Sequence, residues 1–257
     1  MAVSDDAPGP EGWWSEFFTG EHAEFQIAMS EETHDSDAEV ELLIRLGRVT
    51  SGSRVLDIPC GQGRHAIRLA EAGADVIGVD ASSTMLERAM RDAEGRRVQV
   101  IWIHSDMRQF EAATPFDVTI CLGGSFGYFG RNGDQDFLGT LWHALKPGGI
   151  LALDMPSFEY IRARHNPRHE SSHSHQHVIQ QRHLDPETGA ARIDVITVSR
   201  RGRTPRAYYQ QLYRTDEVQE MLASCGFEIL EALEASEVPE YRTNVGHVLL
   251  VAYRPDR

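Results

Sequence analysis

The chain has 257 residues, 41% of them hydrophobic and 25% charged, which suits one large soluble domain or one domain carrying an insertion. Its formal net charge of −14 argues against nucleic acid as the partner, because phosphate binding needs a basic surface. Cys60, Cys121 and Cys225 are far apart and odd in number, so they form neither a disulfide framework nor a zinc-ligand pair and point to a reducing compartment.

Residues 1–12, MAVSDDAPGPEG, are small, acidic and punctuated by Pro8 and Pro10, which predicts a disordered tail. They lack the apolar run of a signal peptide, and no later run reaches membrane-spanning length. The expected location is the cytoplasm, with no membrane partner. Residues 13–50 read as helical. Trp13, Trp14, Phe17, Phe18 and Phe25 recur at roughly helical spacing through WWSEFFTGEHAEFQIAM, and SDAEVELLIRLGRV follows with Ser36 or Asp37 as N-cap.

Residues 51–155 alternate. RVLDI, ADVIGVD, RVQVIWI, FDVTICL and ILALDM read as strands. RHAIRLAEAG is a helix closed by Gly73, and SSTMLERAMRDAEG is one capped by Ser82 or Ser83 and stopped by Gly95. DQDFLGTLWHALKPGG is a helix ended by Pro147-Gly148-Gly149. Short apolar runs joined by helices imply parallel pairing in a doubly wound sheet. Residues 156–214 break the pattern. A polar, histidine-bearing stretch precedes ARIDVITVSRR and RAYYQQLYRT, two strands with no helix between them, and PETG (186–189) is a turn. This predicts an antiparallel β insertion. Residues 215–257 return a capped helix, TDEVQEMLASCGF, and two closing strands, FEILEAL and HVLLVAY.

The stretch LDIPCGQGRHAIRLA (Leu56–Ala70) holds the chemistry. A glycine loop between strand and helix lets backbone approach a ligand, with free N–H groups at the helix start. Gly61-x-Gly63-x-x-Ala66 also fits a dinucleotide fingerprint, and the plainest reading is a tight turn. Asp57 lies four residues before Gly61, where a diphosphate would meet a second anion at short range. A cationic ammonium or sulfonium would instead be favoured there. Asp80 ends the next strand, where an acid accepts both hydroxyls of a ribose. An adenosine-like ribose with a cationic, phosphate-free tail describes S-adenosylmethionine.

VLDIPCGQGRHAIRLAEAGADVIGVDASSTMLERA, with HSDMRQF, FDVTICLGGSFGYF and LKPGGILALD, resembles the class I S-adenosylmethionine-dependent methyltransferases over about residues 36–155. Its pattern is most similar to bacterial small-molecule enzymes, including sugar-amine N-methyltransferases of natural-product biosynthesis. Pro59, the Gly123-Gly124-Ser125 run and the histidine-rich insertion depart from that pattern and bear on the acceptor. The resemblance implies an α/β, Rossmann-like, doubly wound, seven-stranded methyltransferase sheet with an N-terminal helical lid (residues 13–50) and a small antiparallel β insertion. It implies S-adenosyl-L-methionine as cofactor and S-adenosyl-L-homocysteine as product.

By that resemblance Asp57, Cys60, Gly61 and Gly63 surround the methionine part, and Arg64 meets its carboxylate or faces solvent. Asp80, Ala81 and Met85 take the ribose and adenine edge. Asp106 accepts from the adenine amino group or caps a turn, Met107 packs on the ring, and Leu122 and Gly123 lie under the cofactor. Trp13, Trp14, Phe17, Phe126, Tyr128, Arg206 and Tyr208 are candidates for the substrate side and lid, or simply for core.

An amine acceptor can shed its proton before methylation, whereas a hydroxyl needs a base or metal. Tyr128, Asp154, His173, His175, His177 and His247 are the candidate catalytic groups. On one strand, His173, His175 and His177 would share a face and could bind a divalent metal, although no carboxylate or cysteine stands at ligand spacing, so no metal is expected. The expected function is methyl transfer to a small-molecule amine nitrogen. Oxygen or carbon acceptors, an NAD(P)-dependent reductase and a non-catalytic nucleoside-binding protein are the alternatives. A homodimer through the insertion is compatible with the sequence, though no residue pattern specifies it.

Overall fold

The computed structural model describes residues 8–173, 175–241 and 243–256. The expected tail at 1–7 lies outside them. Residues 8–12 are not the loose chain expected. Glu11 pairs with Arg108, and Gly9 lies against the Tyr209 ring so closely that a Cβ would come within 2.2 Å of it.

The N-terminal helical stretch breaks in two. Helix α1 spans Trp13–Phe17 and α2 spans Gly20–Thr33, because Thr19 is extended and Gly20 follows at positive φ. Helix α3 (Ser36–Gly47) is capped by Asp35, one residue earlier than predicted. The alternating core then follows: β1 (Arg54–Asp57), α4 (Arg64–Glu71), β2 (Asp75–Asp80), α5 (Ser83–Arg96), β3 (Ile101–His104), β4 (Phe116–Cys121), α6 (Gly130–Ala144) and β5 (Leu145–Pro156). Ser82 caps α5, its Oγ accepting from the Met85 amide. Strand β3 begins four residues later than its apolar run suggested. Helix α6 stops at Ala144, before the Pro147-Gly148-Gly149 sequence expected to end it. Leu145 is already extended, and its carbonyl is taken by Arg254.

After β5 come α7 (Phe158–Ala163) and β6 (Arg168–His173), β7 (Gln176–Leu184), β8 (Ala190–Ser199) and β9 (Gly202–Gln211). Helix α8 (Thr215–Ser224), β10 (Glu228–Glu234) and β11 (His247–Tyr253) close the chain. The large sheet runs β10-β11-β5-β4-β1-β2-β3, with β11 antiparallel to both neighbours. This is the seven-stranded, mostly parallel sheet the sequence predicts. Its central strands are near-continuous apolar runs because both faces are covered. Leu138 and Leu141 of α6 and Val218 and Leu222 of α8 pack on one face; Leu42 and Leu43 of α3 and Ala66 and Leu69 of α4 pack on the other.

The other sheet, β6-β7-β8-β9, is a fully antiparallel meander. A separate apolar cluster joins it to the N-terminus: Trp13, Phe17 and Phe25 pack on Val178, Ile193 and Val195. Buried polar contacts fix the same interface. Ser199 Oγ donates to Glu21, and His22 Nδ1 lies 3.2 Å from Thr197 Oγ1. Burial, then the Arg206 charge, push the His22 pKa down to about 4. An unfolded histidine titrates near 6.5. Between those values the unfolded chain holds a proton that the folded chain refuses, so stability falls as pH falls through this window. His22 alone should cost about 3 kcal/mol by its lower end. Denaturant midpoints measured on His22→Gln and the parent check this: the variant should lose part of the parent's acid sensitivity, and parallel pH curves would contradict it.

Candidate functional site

The carboxyl ends of the parallel strands meet in one cavity of about 240 Å³, where ligands bind in open α/β sheets. Cys60, Gly61 and Gln62 of the loop after β1, Arg64 and His65 of α4, and Asp80, Ala81, Ser82 and Met85 beyond β2 form one side. Asp106 and Met107 after β3, then Leu122, Gly123, Ser125, Tyr128 and Phe129 after β4, form the floor and far side. Trp14, Phe18, Gln26, Ile27, Ser30 and His34 of the N-terminal helices complete the wall.

Asp80 is held by two backbone amides. It is nearly buried, accepting from the Gly61 amide at 2.7 Å and the Ser82 amide at 2.8 Å. A carboxylate has about four lone-pair positions, so two remain for a ligand's hydroxyls. Burial raises its pKa, and the Ser82 and Gly61 amides oppose that rise.

Asp57 stands behind the wall rather than on it, fully buried at the end of β1. Its Oδ2 has no hydrogen-bond partner among the described residues. Burial pushes its pKa up to about 8, Arg64 and the Ala66 amide pull down, and Asp80 adds to the rise. Such a group gains from a nearby cation and would be driven further from ionisation by a diphosphate. Gln62 Oε1 is likewise buried without a partner, and it lies on the cavity wall. These two orphaned acceptors fit a ligand whose tail carries a donor and positive charge. The residues present therefore fit S-adenosylmethionine. Gln62, Asp80 and the bare backbone of Gly61 and Gly123 would hold it, with Asp57 supplying charge from behind. A proton consequence follows. Binding of S-adenosylhomocysteine, whose zwitterionic tail carries an ammonium for this end of the cavity, should ionise Asp57 and release about one proton near pH 7. Calorimetry in buffers of differing ionisation heat reads that release, and buffer-independent heat would contradict it.

Gly63, expected beside the cofactor, is not among the residues that line the cavity. It starts α4 at φ 75, and a Cβ there would come within 2.5 Å of the Trp102 ring, so its smallness serves helix–sheet packing. Asp106 is a turn cap as well as a wall residue: its Oδ1 accepts from the Arg108 amide, and its Oδ2 pairs with the Arg108 guanidinium at 2.7 Å. Arg108 also reaches Glu11 and stacks over Trp14 and Phe129, with its carbon 4.7 Å and 4.4 Å from their ring centres. It clasps the N-terminal segment to the loop after β3.

Arg64 does not face solvent. It is ion-paired with the fully buried Glu39 of α3, which also accepts from His65 Nε2 at 2.7 Å and Asn244 Nδ2 at 2.8 Å. Burial would raise the Glu39 pKa, but His65 and Arg64 more than offset it and hold the carboxyl well below the usual range. Burial and the Arg64 charge lower both His65 (to about 4) and His34, so these imidazoles are neutral on the cavity wall.

Among the aromatic candidates, Trp14 and Tyr128 reach the cavity. Trp13 and Phe17 are core of the N-terminal interface, and Phe126 is buried against Tyr213. Tyr208 packs on Phe17 and Trp13, and Arg206 donates to the Glu16 carbonyl on the outside. Burial drives the Tyr128 phenol well up, so it keeps its proton and is no base. His173, His175 and His177 do not share a strand face. A hairpin separates them: His173 ends β6 and pairs with Glu32, His175 lies in the turn, and His177 is on β7 beside Glu170 and Ser172. No group of three or more metal-ligating side chains occurs among the described residues. Arg242, which the sequence places near the last hairpin, lies outside them. His247 and Asp154 are brought together, with His247 Nδ1 3.0 Å from the carboxylate.

Gln26, Ser30, His34 and Gln62 were not read from the sequence. Gln26 and Ser30 sit on α2 and His34 just after it, far along the chain from the glycine loop, and only tertiary packing carries them to it.

Residues 55–149 match a methyltransferase-domain family model. The chain carries a methyltransferase domain over that stretch. The glycine/sarcosine N-methyltransferase of Aphanothece halophytica is 38% identical over 129 residues, covering 49% of this chain and 49% of that protein. The chain thus spans about half the length of the curated relatives it matches. An S-adenosylmethionine-dependent methyltransferase of Clostridium acetobutylicum has the same fold, with TM-score 0.76 at 16% identity over 91% of this chain and 97% of that one. An amino pentose methyltransferase of Micromonospora echinaspora, involved in calicheamicin biosynthesis, shares it with TM-score 0.68 at 20% identity, covering 92% and 97%. The matched stretch holds the glycine loop, Asp57 and Asp80 at the ends of β1 and β2, and Asp106 after β3. No helix among the described residues is long and apolar enough to cross a membrane.

Proposed function

We propose that the chain transfers a methyl group from S-adenosylmethionine to the nitrogen of a small amine in specialised metabolism, in the cytoplasm. The observation that carries the donor is the buried Asp57 carboxyl behind the loop, one oxygen of which has no hydrogen-bond partner among the described residues. It favours a cation and disfavours the diphosphate of a nicotinamide dinucleotide. Relatives named as glycine/sarcosine N-methyltransferases and an amino pentose methyltransferase support nitrogen as the acceptor atom. When bound, S-adenosylmethionine supplies a methyl on a cationic sulfur and leaves as the thioether.

The protein's own contribution is alignment and exclusion of water. Trp14, Phe18 and Tyr128 line the cavity, and aromatic rings tolerate a sulfonium without the ion pairing that would favour the ground state. The loop Gly123–Tyr128 is held from two sides. Gly124 donates to Asp154, while Gln210 of β9 donates to the Gly124 and Phe126 carbonyls. The β insertion thereby fixes a loop that forms part of the cavity wall.

Incubation with S-adenosylmethionine and a panel of glycine, sarcosine, amino sugars, phenols and carboxylic acids tests this reading. The expected result is S-adenosylhomocysteine together with an N-methylated product. Turnover confined to phenols or acids would overturn it.

A further inference from the structure

His247 and Asp154 lie on adjacent antiparallel strands, with Leu249 opposite Asp154 and His247 opposite Pro156. Asp154 is fully buried, and its carboxylate faces both the Gly124 amide, at 2.8 Å, and His247 Nδ1, at 3.0 Å. A carboxylate at Nδ1 fixes the tautomer with the proton there and the lone pair on Nε2. No hydrogen bond engages Nε2 among the described residues, and the side chain is a quarter exposed. The ring lies along Gly124: its Cε1 is 2.9 Å from where a Cβ on that residue would stand. Gly123 and Ser125, on either side, form cavity wall.

We propose that His247 Nε2 receives the proton of the incoming amine, with Asp154 as its positioning residue. This rests on the amine reading above. An aliphatic ammonium, with a pKa near that of lysine at about 10.4, has no lone pair at neutral pH. In the step, the substrate N–H bond breaks and the proton passes to Nε2. The electron pair stays on the amine nitrogen, which becomes nucleophilic, and the imidazolium later returns its proton to water. Asp154 from β5 and Glu39 from α3 face the ring with negative charge, and His34, on the cavity wall after α2, is lowered by the His247 charge. Burial lowers the His247 pKa, but Asp154 and Glu39 outweigh it and leave it raised above 6.5. Activity should therefore climb with pH through a value above that of free imidazole.

The test joins a spectroscopic and a kinetic reading. In histidine-labelled protein, NMR titration should show one resonance, absent in His247→Gln, that titrates above the free value and falls in Asp154→Asn. His247→Gln should lower kcat/KM for the amine about 10²–10⁴-fold near neutrality. It should remove the inflection that belongs to His247, recover partly at alkaline pH as the free amine loses its proton, and keep its melting temperature and S-adenosylhomocysteine affinity. A variant within about threefold of the parent with the same pH profile would overturn the assignment of His247 alone. So would a His247 resonance indifferent to Asp154→Asn. Parent protein that binds S-adenosylhomocysteine yet methylates no amine would overturn the amine reading, and the proposal with it.

Discussion

Replacing Glu39 with alanine is expected to destabilise the fold by about 3–5 kcal/mol, because it leaves a buried arginine without its counter-ion. The Glu39 carboxylate has no exposed surface, and Arg64 and His65 of α4 and Asn244 near the last hairpin converge on it from two separate parts of the chain. Alanine removes the acceptor and keeps the donors. Arg64, only 12% exposed, would have to move out or remain desolvated, and the Asn244 amide would lose its partner. For a chain of this length that loss corresponds to a fall in melting temperature of roughly 10 °C. Glu39→Gln keeps shape and part of the hydrogen bonding, so it should lose less. The same carboxyl makes the fold acid-sensitive. Its folded pKa is depressed, so its contribution is present above the unfolded value of about 4.5 and is lost as pH falls toward the folded one. Chemical denaturation of the two variants reads both effects. An alanine variant within about 1 kcal/mol of the parent would show the network to be dispensable.

Asp80→Asn is expected to weaken S-adenosylhomocysteine binding by a factor of about 10²–10³, or roughly 3–4 kcal/mol. The acid has one task in the folded chain and one toward the ligand. Its oxygens receive the Gly61 and Ser82 amides, setting the loop after β1 against the cap of α5. Its remaining lone pairs face the cavity, where hydrogen bonds to a charged acceptor each contribute about 1.5–3 kcal/mol. Asparagine presents an NH₂ group in place of one oxygen, so it can satisfy only one of the two backbone amides and loses charge-assisted bonding to a diol. Competition binding measures the affinity, and melting temperature without ligand separates loop damage from lost recognition. Retained affinity would remove Asp80 from the ribose role.

The core was legible because its signals are local. Parallel strands buried on both faces are continuous apolar runs; β1 and β2 end in Asp57 and Asp80, and Gly61 and Asp106 follow shortly after β1 and β3, so these four residues are legible from the sequence. The first half of the insertion was not legible. Strand β6 is exposed along most of its length and lacks apolar alternation, so Arg168–His173 reads as polar loop. His173, His175 and His177 then look like one strand face when a turn divides them. Long-range pairings were equally silent. Arg64 meeting Glu39 depends on α3 packing on α4, and His247 meeting Asp154 depends on the register of β11 against β5. Asp106 shows a third limit: one acid in a motif can be both wall and cap, and the arginine two residues on decides how much of its carboxylate is occupied.

The most direct test of the account is titration calorimetry of the wild-type protein with S-adenosylhomocysteine and, separately, with NADH. The account predicts saturable one-to-one binding of S-adenosylhomocysteine and no heat from NADH. Saturable binding of NADH with none of S-adenosylhomocysteine would contradict it.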